Sequence, residues 1–144
     1  MSSPKFLLFL SAFSLFMACN NKKTESVVVE TWESGNPKRT AEYIINDDGS
    51  KSLYKETMFF EGQQKFIEGT YNKQQQRDGK WTSWFEDGKQ NSQGTYVDGK
   101  EQGKYTVWFP NGQIHYTGKY QKGIKTGKWK FYNEEGKLVK EVVY

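Results

Sequence analysis

The sequence is poor in the residues that most chemistry needs. Its 144 residues hold one cysteine, one histidine and three prolines. With Cys19 alone there is no internal disulfide and no cysteine-built metal cluster. With His115 alone a zinc site would need three carboxylates, which is unusual. No metal is expected, and His115 reads as an ordinary surface-strand side chain. A serine nucleophile lacks its G-x-S-x-G elbow. Asp47-Asp48-Gly49 reads as a hairpin turn and not as a calcium or acid pair. Glycine-rich phosphate loops lead into helices, whereas these glycines lie between strand-like runs. Neither a catalytic centre nor a cofactor is expected.

Strong charge of one sign is missing too. The formal net charge is +4. Removing residues 1–18 takes away one lysine and no acid, leaving 20 basic against 17 acidic residues, or +3. So mild a charge favours solubility and argues against nucleic acid as a partner. Aliphatic side chains are scarce. Hydrophobic residues make up 35% of the chain and aromatic ones 17%, so rings supply about half of the apolar inventory. A compact two-layer domain carries more aliphatic content.

The apolar run Phe6–Ala18 (FLLFLSAFSLFMA) follows Lys5 and ends at Cys19. It falls short of the roughly 20 residues a helix needs to span a bilayer. A positive start, a short apolar stretch and a small residue have the proportions of a secretory signal. Its end, with Ala18 before Cys19 and Phe16 where leucine is usual, resembles the lipobox of bacterial lipoproteins. That resemblance implies a lipidated Cys19 as the mature N-terminus and export to a Gram-negative cell envelope, with the membrane reached through the lipid anchor. Acyl chains contribute about 0.8 kcal/mol per buried methylene, so a multiply acylated cysteine anchors stably. Asn20 is not the aspartate linked to inner-membrane retention, and no acidic cluster follows, which leans towards the outer membrane. Residues 19–26 then read as the lipidated cysteine and a polar tether, and 27–144 as the folded domain.

That domain repeats itself. GKWTSWFEDGK from Gly79 returns as GKYTVWFPNGQ from Gly103 and as GKWKFYNEEGK from Gly127, a step of 24 residues each time. The columns are Gly79, Gly103 and Gly127; Trp81, Tyr105 and Trp129; Trp84, Trp108 and Tyr132; Gly88, Gly112 and Gly136. They continue as Gly94 and Gly118, Tyr96 and Tyr120, Gly99 and Gly123. Periods of this length mark repeat architectures. Each copy holds two aromatic or β-branched runs split by a turn signal. Asp87-Gly88 and Asn111-Gly112 are expected to be hairpin turns with φ > 0 at both central positions. Asp98-Gly99 and Lys122-Gly123 supply the return turns. One repeat is therefore one β-hairpin, and the expectation is an all-β antiparallel meander of about ten strands. It is clear over 69–144 and degenerate over 27–68, where Met58–Gly62 (MFFEG) aligns with Trp84–Gly88. The segment Tyr71–Gly79 is one residue longer than its later counterpart and reads as a looser turn.

Alternation along a strand puts Trp81, Ser83 and Phe85 on one face with Tyr105, Val107, Phe109, Trp129 and Phe131. Trp84, Trp108 and Tyr132 point to the other. The first face is the richer and the better core. Gly94 and Gly118 sit inside strands, where glycine is unfavourable unless a neighbouring ring lies over it. The row Trp84, Trp108 and Tyr132 reads as packing on the second face or as a binding platform. Lys80, Lys89, Lys100, Lys104, Lys119, Lys122, Lys125 and Lys128 read as edge protection or as contacts to anionic lipid or glycan.

The unit G-x-Y-x-x-G-x-x-x-G, at Gly94–Gly103 and at Gly118–Gly127, with the GKW/GKY openings, resembles the MORN repeat in its bacterial variant form. The resemblance implies an elongated, twisted antiparallel sheet that associates with proteins or membranes. Many bacterial members carry a toxin–antitoxin antitoxin label, from which a lipobox-like start departs. The expected function is a non-enzymatic envelope lipoprotein that binds a protein partner. Antitoxin or immunity action, and glycan or lipid-headgroup binding, are the alternatives.

Overall fold

The computed structural model describes residues 23–144. The signal segment, Cys19 and the start of the tether lie outside the described residues. Eleven strands follow in order: β1 (Thr24–Thr31), β2 (Pro37–Ile45), β3 (Lys51–Phe59), β4 (Lys65–Tyr71), β5 (Arg77–Trp84), β6 (Gln90–Val97), β7 (Lys100–Glu101), β8 (Gly103–Trp108), β9 (Ile114–Gln121), β10 (Ile124–Tyr132) and β11 (Leu138–Val143). They form one open antiparallel sheet in which chain neighbours are sheet neighbours. The two-residue β7 and then β8 both pair with β6, so they act as one strand broken at Gln102 and the meander has ten rungs. No helix occurs among the described residues. The first strand starts at Thr24 and not at Val27. Thr24, Glu25 and Ser26, expected in the tether, pair with Ile44, Tyr43 and Glu42.

The turns correct the sequence reading. At one end of the sheet every loop takes five residues, such as Phe85–Lys89 and Phe109–Gln113. The first residue's N–H donates to the fifth carbonyl, and the fourth N–H donates to the first carbonyl. In Phe85–Lys89 only Gly88, at φ 84°, is left-handed, and Asp87 is not. This is the turn-plus-bulge hairpin, not the two-residue turn expected at Asp87-Gly88 and Asn111-Gly112. The two-residue turns with φ > 0 at both positions are Asp98-Gly99 (47° and 79°) and Lys122-Gly123 (50° and 83°), at the opposite end. The loop Phe60–Gln64 sets Met58–Gly62 one residue out of the expected alignment with Trp84–Gly88. Gly62 stands where Asp87 stands, and Gln63 takes the left-handed position at φ 68°. Asn72–Gln76 closes as a five-residue loop as well, the looser turn expected there.

The last four loops at the Phe85–Lys89 end share a register shift in the same place, one residue pair in from the loop: between Met58 and Phe59, Ser83 and Trp84, Val107 and Trp108, and Phe131 and Tyr132. The extra residues this inserts in the returning strands are Phe66, Asn91, His115 and Val139. A bulge re-aims its side chain, and two of these land on the first loop residue. Phe66 meets Phe60 edge-on at 5.2 Å, and His115 stacks on Phe109 at 4.2 Å. His115 is therefore a packing residue and not a plain surface one.

The interior is thin. Among the described residues only Ala41, Trp81, Trp129, Thr57, Ser83 and Thr106 are buried, beside three glycines. What holds the sheet is a repeated stack on the face that carries Trp81. The rings of Trp81, Tyr105 and Trp129 lie flat on Gly69, Gly94 and Gly118 of a neighbouring strand. They come so close that a Cβ built on any of these glycines would fall well under 3.0 Å from ring carbons. The indole N–H of Trp81 donates to the Thr70 carbonyl (3.1 Å), and that of Trp129 donates to the Lys119 carbonyl (3.2 Å). Glycine inside a strand, costly by itself, is thus the condition for burying an indole on a one-layer sheet. The opposite face carries a polar row across the strands, in which Thr106 and Thr117 share a hydroxyl hydrogen bond (2.9 Å) and Thr57 donates to Glu68 (3.1 Å).

In the degenerate half the stack is rewritten. By register, Ala41 occupies the glycine position and Glu56 the ring position. An alanine Cβ blocks a flat ring, and a carboxylate takes its place. Glu56 accepts from Arg39 (2.9 Å) and from the Tyr71 hydroxyl (3.0 Å). Lys55, Lys65 and Glu68 add ion pairs on the other face.

Candidate functional site

Nothing among the described residues covers either face of the sheet, so each is a candidate surface. The Trp81 face bears a band of rings in two runs. From Tyr71 it runs through Trp81 to Tyr96 at centroid separations of 5.3 and 6.2 Å. A second run links Tyr105, Tyr120, Trp129 and Tyr144 at 5.6, 5.0 and 6.2 Å. Tyr116 joins Tyr105, Trp129 and Phe131 within 6.5 Å. Trp81 and Trp129 are buried by this band, while Tyr96, Tyr105, Tyr116 and Tyr120 stay half-buried with one side open.

Within the band one ring pair recurs three times at a spacing of 24: Trp81 with Tyr96, Tyr105 with Tyr120, and Trp129 with Tyr144, all edge-to-face. A charged residue belongs to each. Arg77 places its guanidinium 4.0 Å from the Trp81 ring centre and 5.5 Å from that of Tyr96. Lys125 places its ammonium 4.6 Å from Trp129 and 5.2 Å from Tyr144. The equivalent residue of the middle repeat is Glu101, which lies opposite Tyr96. Burial raises the hydroxyl pKa of both Tyr96 and Tyr120, and the Glu101 charge raises both further. This column is inconspicuous in the sequence because it precedes the repeated phrase that opens at Gly79. The signal was present as Arg77, Glu101 and Lys125, two residues before each opening glycine.

The other face carries the expected row. Trp84, Trp108 and Tyr132 are half-buried and stand on alternate rungs of the meander, β5, β8 and β10. At about 4.8 Å per strand they are roughly 10 Å apart along the sheet, and no ring contact joins them. Lys65 reaches Trp84, 5.6 Å from its centroid. Lys80 and Lys104 share this face and are exposed. Lys104 sits directly opposite Lys119, two like charges with no carboxylate paired to either among the described residues. The remaining lysines differ in role. Lys128 pairs with Glu141 (2.8 Å), Lys89 donates to the Pro110 carbonyl (2.9 Å), and Lys125 lies on the ring face.

At the five-residue-loop end, side chains tie one loop to the next. Asn36 donates to the Glu61 carbonyl, Lys89 to that of Pro110, and Asn111 to that of Glu134. Each accepting carbonyl is the second residue of its loop, so these bonds are a structural ladder. At the opposite end Gln76, Val97, Asp98, Lys100, Gln102 and Lys122 line a shallow depression. The described residues gather no group of three or more His, Cys, Asp or Glu side chains, and none of them forms a helix long and apolar enough to cross a membrane.

Comparison with protein families identifies the repeat. Residues 77–98, 101–122 and 125–144 each match the family model described as the MORN repeat variant. Each match opens at the Arg77, Glu101 or Lys125 column and spans one hairpin, so the family unit and the structural unit coincide. The half of the sheet in which Ala41 and Glu56 replace the glycine and ring lies outside the match. No curated protein and no solved structure matches the chain.

Proposed function

We propose that this chain is a non-catalytic interaction module, exported and held at the cell envelope by a lipid on Cys19, that binds a protein partner along its ring-bearing face. The carrying observation is the open aromatic band from Tyr71 to Tyr144. Its rings are fixed by glycine stacks and edge contacts, so a partner gains ring area at little cost in side-chain ordering. Aromatic residues are enriched where proteins meet.

The test is a pull-down with the tagged full chain from an envelope lysate, run beside two folded variants. Tyr96→Ser with Tyr120→Ser removes open rings from the band, and Trp84→Ala with Trp108→Ala strips the other face. The expected result is one stoichiometric protein, lost from the first variant and kept by the second. A blank, or capture indifferent to the first variant while circular dichroism shows an intact sheet, would overturn the assignment.

Lys104 opposite Lys119 favours a second reading. Like charges directly across a strand pair repel, and a bound anion offsets that. With Lys80 and the Trp84–Trp108–Tyr132 row on the same face, an anionic headgroup or glycan is the fitting ligand. Retention on anionic vesicles that fails on zwitterionic ones, and that falls on Trp108→Ala, supports it; equal retention on both sinks it. An antitoxin role rests on the repeat's resemblance alone, and toxin rescue on co-expression is its test.

A further inference from the structure

The three ring pairs of the band are the same device filled differently. In the first matched repeat the chain's own Arg77 lies over Trp81 and Tyr96, and in the third Lys125 lies over Trp129 and Tyr144. Neither cation has a carboxylate partner among the described residues. Each is held by ring faces, whose negative quadrupole attracts a cation. The middle pair, Tyr105 and Tyr120, has the same edge-to-face geometry, at 5.6 Å and 89°. There the column carries Glu101, half-buried and without an ion pair among the described residues. Glu101 shares the face of Tyr96, directly across the strand pair. The middle repeat therefore keeps an edge-to-face ring pair, with tyrosine in place of tryptophan, and carries a negative charge where its neighbours carry a cation.

We propose that Tyr105, Tyr120 and Glu101, with Tyr96 at the rim, form a docking site for an arginine or lysine side chain of a protein partner.

Three physical points support it. The flanking repeats show that rings in this arrangement accept both a guanidinium and an ammonium. The carboxylate supplies the charge that rings alone lack, and it selects a cation over a neutral amide. The electrostatics agree with the geometry, because Glu101 holds the Tyr96 and Tyr120 hydroxyls further towards their neutral form once burial has raised them. This inference rests on the protein-binding reading and names the chemistry of the contact.

Aromatic NMR resonances of the full chain provide the test, titrated with acetylated, amidated Gly-Arg-Gly, Gly-Lys-Gly and Gly-Gln-Gly. The arginine or lysine peptide is expected to shift Tyr105 and Tyr120 saturably, and the glutamine peptide not at all. Glu101→Lys copies into the middle repeat the residue that the third repeat already carries, so the sheet is expected to fold. It should weaken peptide binding by about tenfold or more by filling the site from within. Glu101→Gln, which removes the charge alone, should fall between. The proposal is overturned if no saturable shift occurs, if Glu101→Lys binds as well as the wild type, or if Trp81 and Trp129 respond as strongly as Tyr105. In the pull-down, a captured protein indifferent to Glu101→Lys would defeat this inference alone. Peptide binding with no captured protein would defeat the protein-binding reading instead.

Discussion

Gly118→Ala inverts the usual expectation for such a change. Replacing a strand glycine by alanine normally stabilises, because glycine is disfavoured there by roughly 0.5–1 kcal/mol. At Gly118 the new methyl would fall inside the space of the Trp129 indole, meeting ring carbons well under 3.0 Å away. Trp129 is the largest fully buried side chain, at 0% exposure, with its N–H bonded to the Lys119 carbonyl. The strand cannot give, since both its neighbours pair with it, so the indole must lift. Lifting forfeits part of the roughly 3–5 kcal/mol that deleting a buried tryptophan costs, together with about 1 kcal/mol for the hydrogen bond. The expected loss is about 2–4 kcal/mol. It would be read as a lower urea midpoint with indole fluorescence shifted towards the solvent-exposed value. Gly62→Ala is the control, because a Cβ there meets nothing within 4 Å and the backbone is not left-handed. Its midpoint should stay or rise slightly. In a Trp129→Leu background the Gly118→Ala penalty should shrink, since the two residues are coupled. A Gly118→Ala midpoint equal to the wild type, with unchanged fluorescence, would refute the stacking account.

Three further outcomes are expected. Burial raises the Glu68 carboxyl pKa, but hydrogen bonds and charge from Lys65 and Lys55 outweigh it and leave the pKa below the usual 4.5. The stability it contributes is thus present above the unfolded value and lost as pH falls through the lowered one; Glu68→Gln should flatten that part of the acid limb of a urea-midpoint profile. Tyr71, Tyr96, Tyr116 and Tyr120 are all raised above 10.0, chiefly by burial. Their contribution is full below that value and lost as pH climbs through the raised ones, so the sheet should weaken on the alkaline side while absorbance reports late tyrosinate formation. Lys122 holds φ 50° in a two-residue turn, where asparagine is preferred; Lys122→Asn should raise stability by about 0.5 kcal/mol or more, seen as a higher melting temperature.

Much of this fold was written in the sequence because its rules are local. A 24-residue step with ring and glycine columns demands identical hairpins, and strand alternation then assigns Trp81 and Trp84 to opposite faces. The position of glycine inside strands announced that rings would lie over it. Turn type was not legible from Asp87-Gly88, since the same dipeptide serves a two-residue turn and the end of a bulged loop. The register shift after Ser83 decides between them. The expected alignment of Met58–Gly62 with Trp84–Gly88 is one residue out because Gly62 does not hold the left-handed position there; Gln63 does. The ion-pair substitute at Ala41 and Glu56 was hidden because no repeated residue marks it. The charged column of Arg77, Glu101 and Lys125 was hidden for the opposite reason: it repeats in place while changing its sign.

The central claim is that rings seated on strand glycines hold this single-layer sheet together. The measurement that meets it most directly is the α-proton chemical shift of each glycine in the full-length protein. Ring currents should carry the Gly69, Gly94 and Gly118 α-protons well upfield of those of Gly62 and Gly112, and Trp129→Leu should return the Gly118 pair alone to the common range. Ordinary strand-glycine shifts at all three would contradict it.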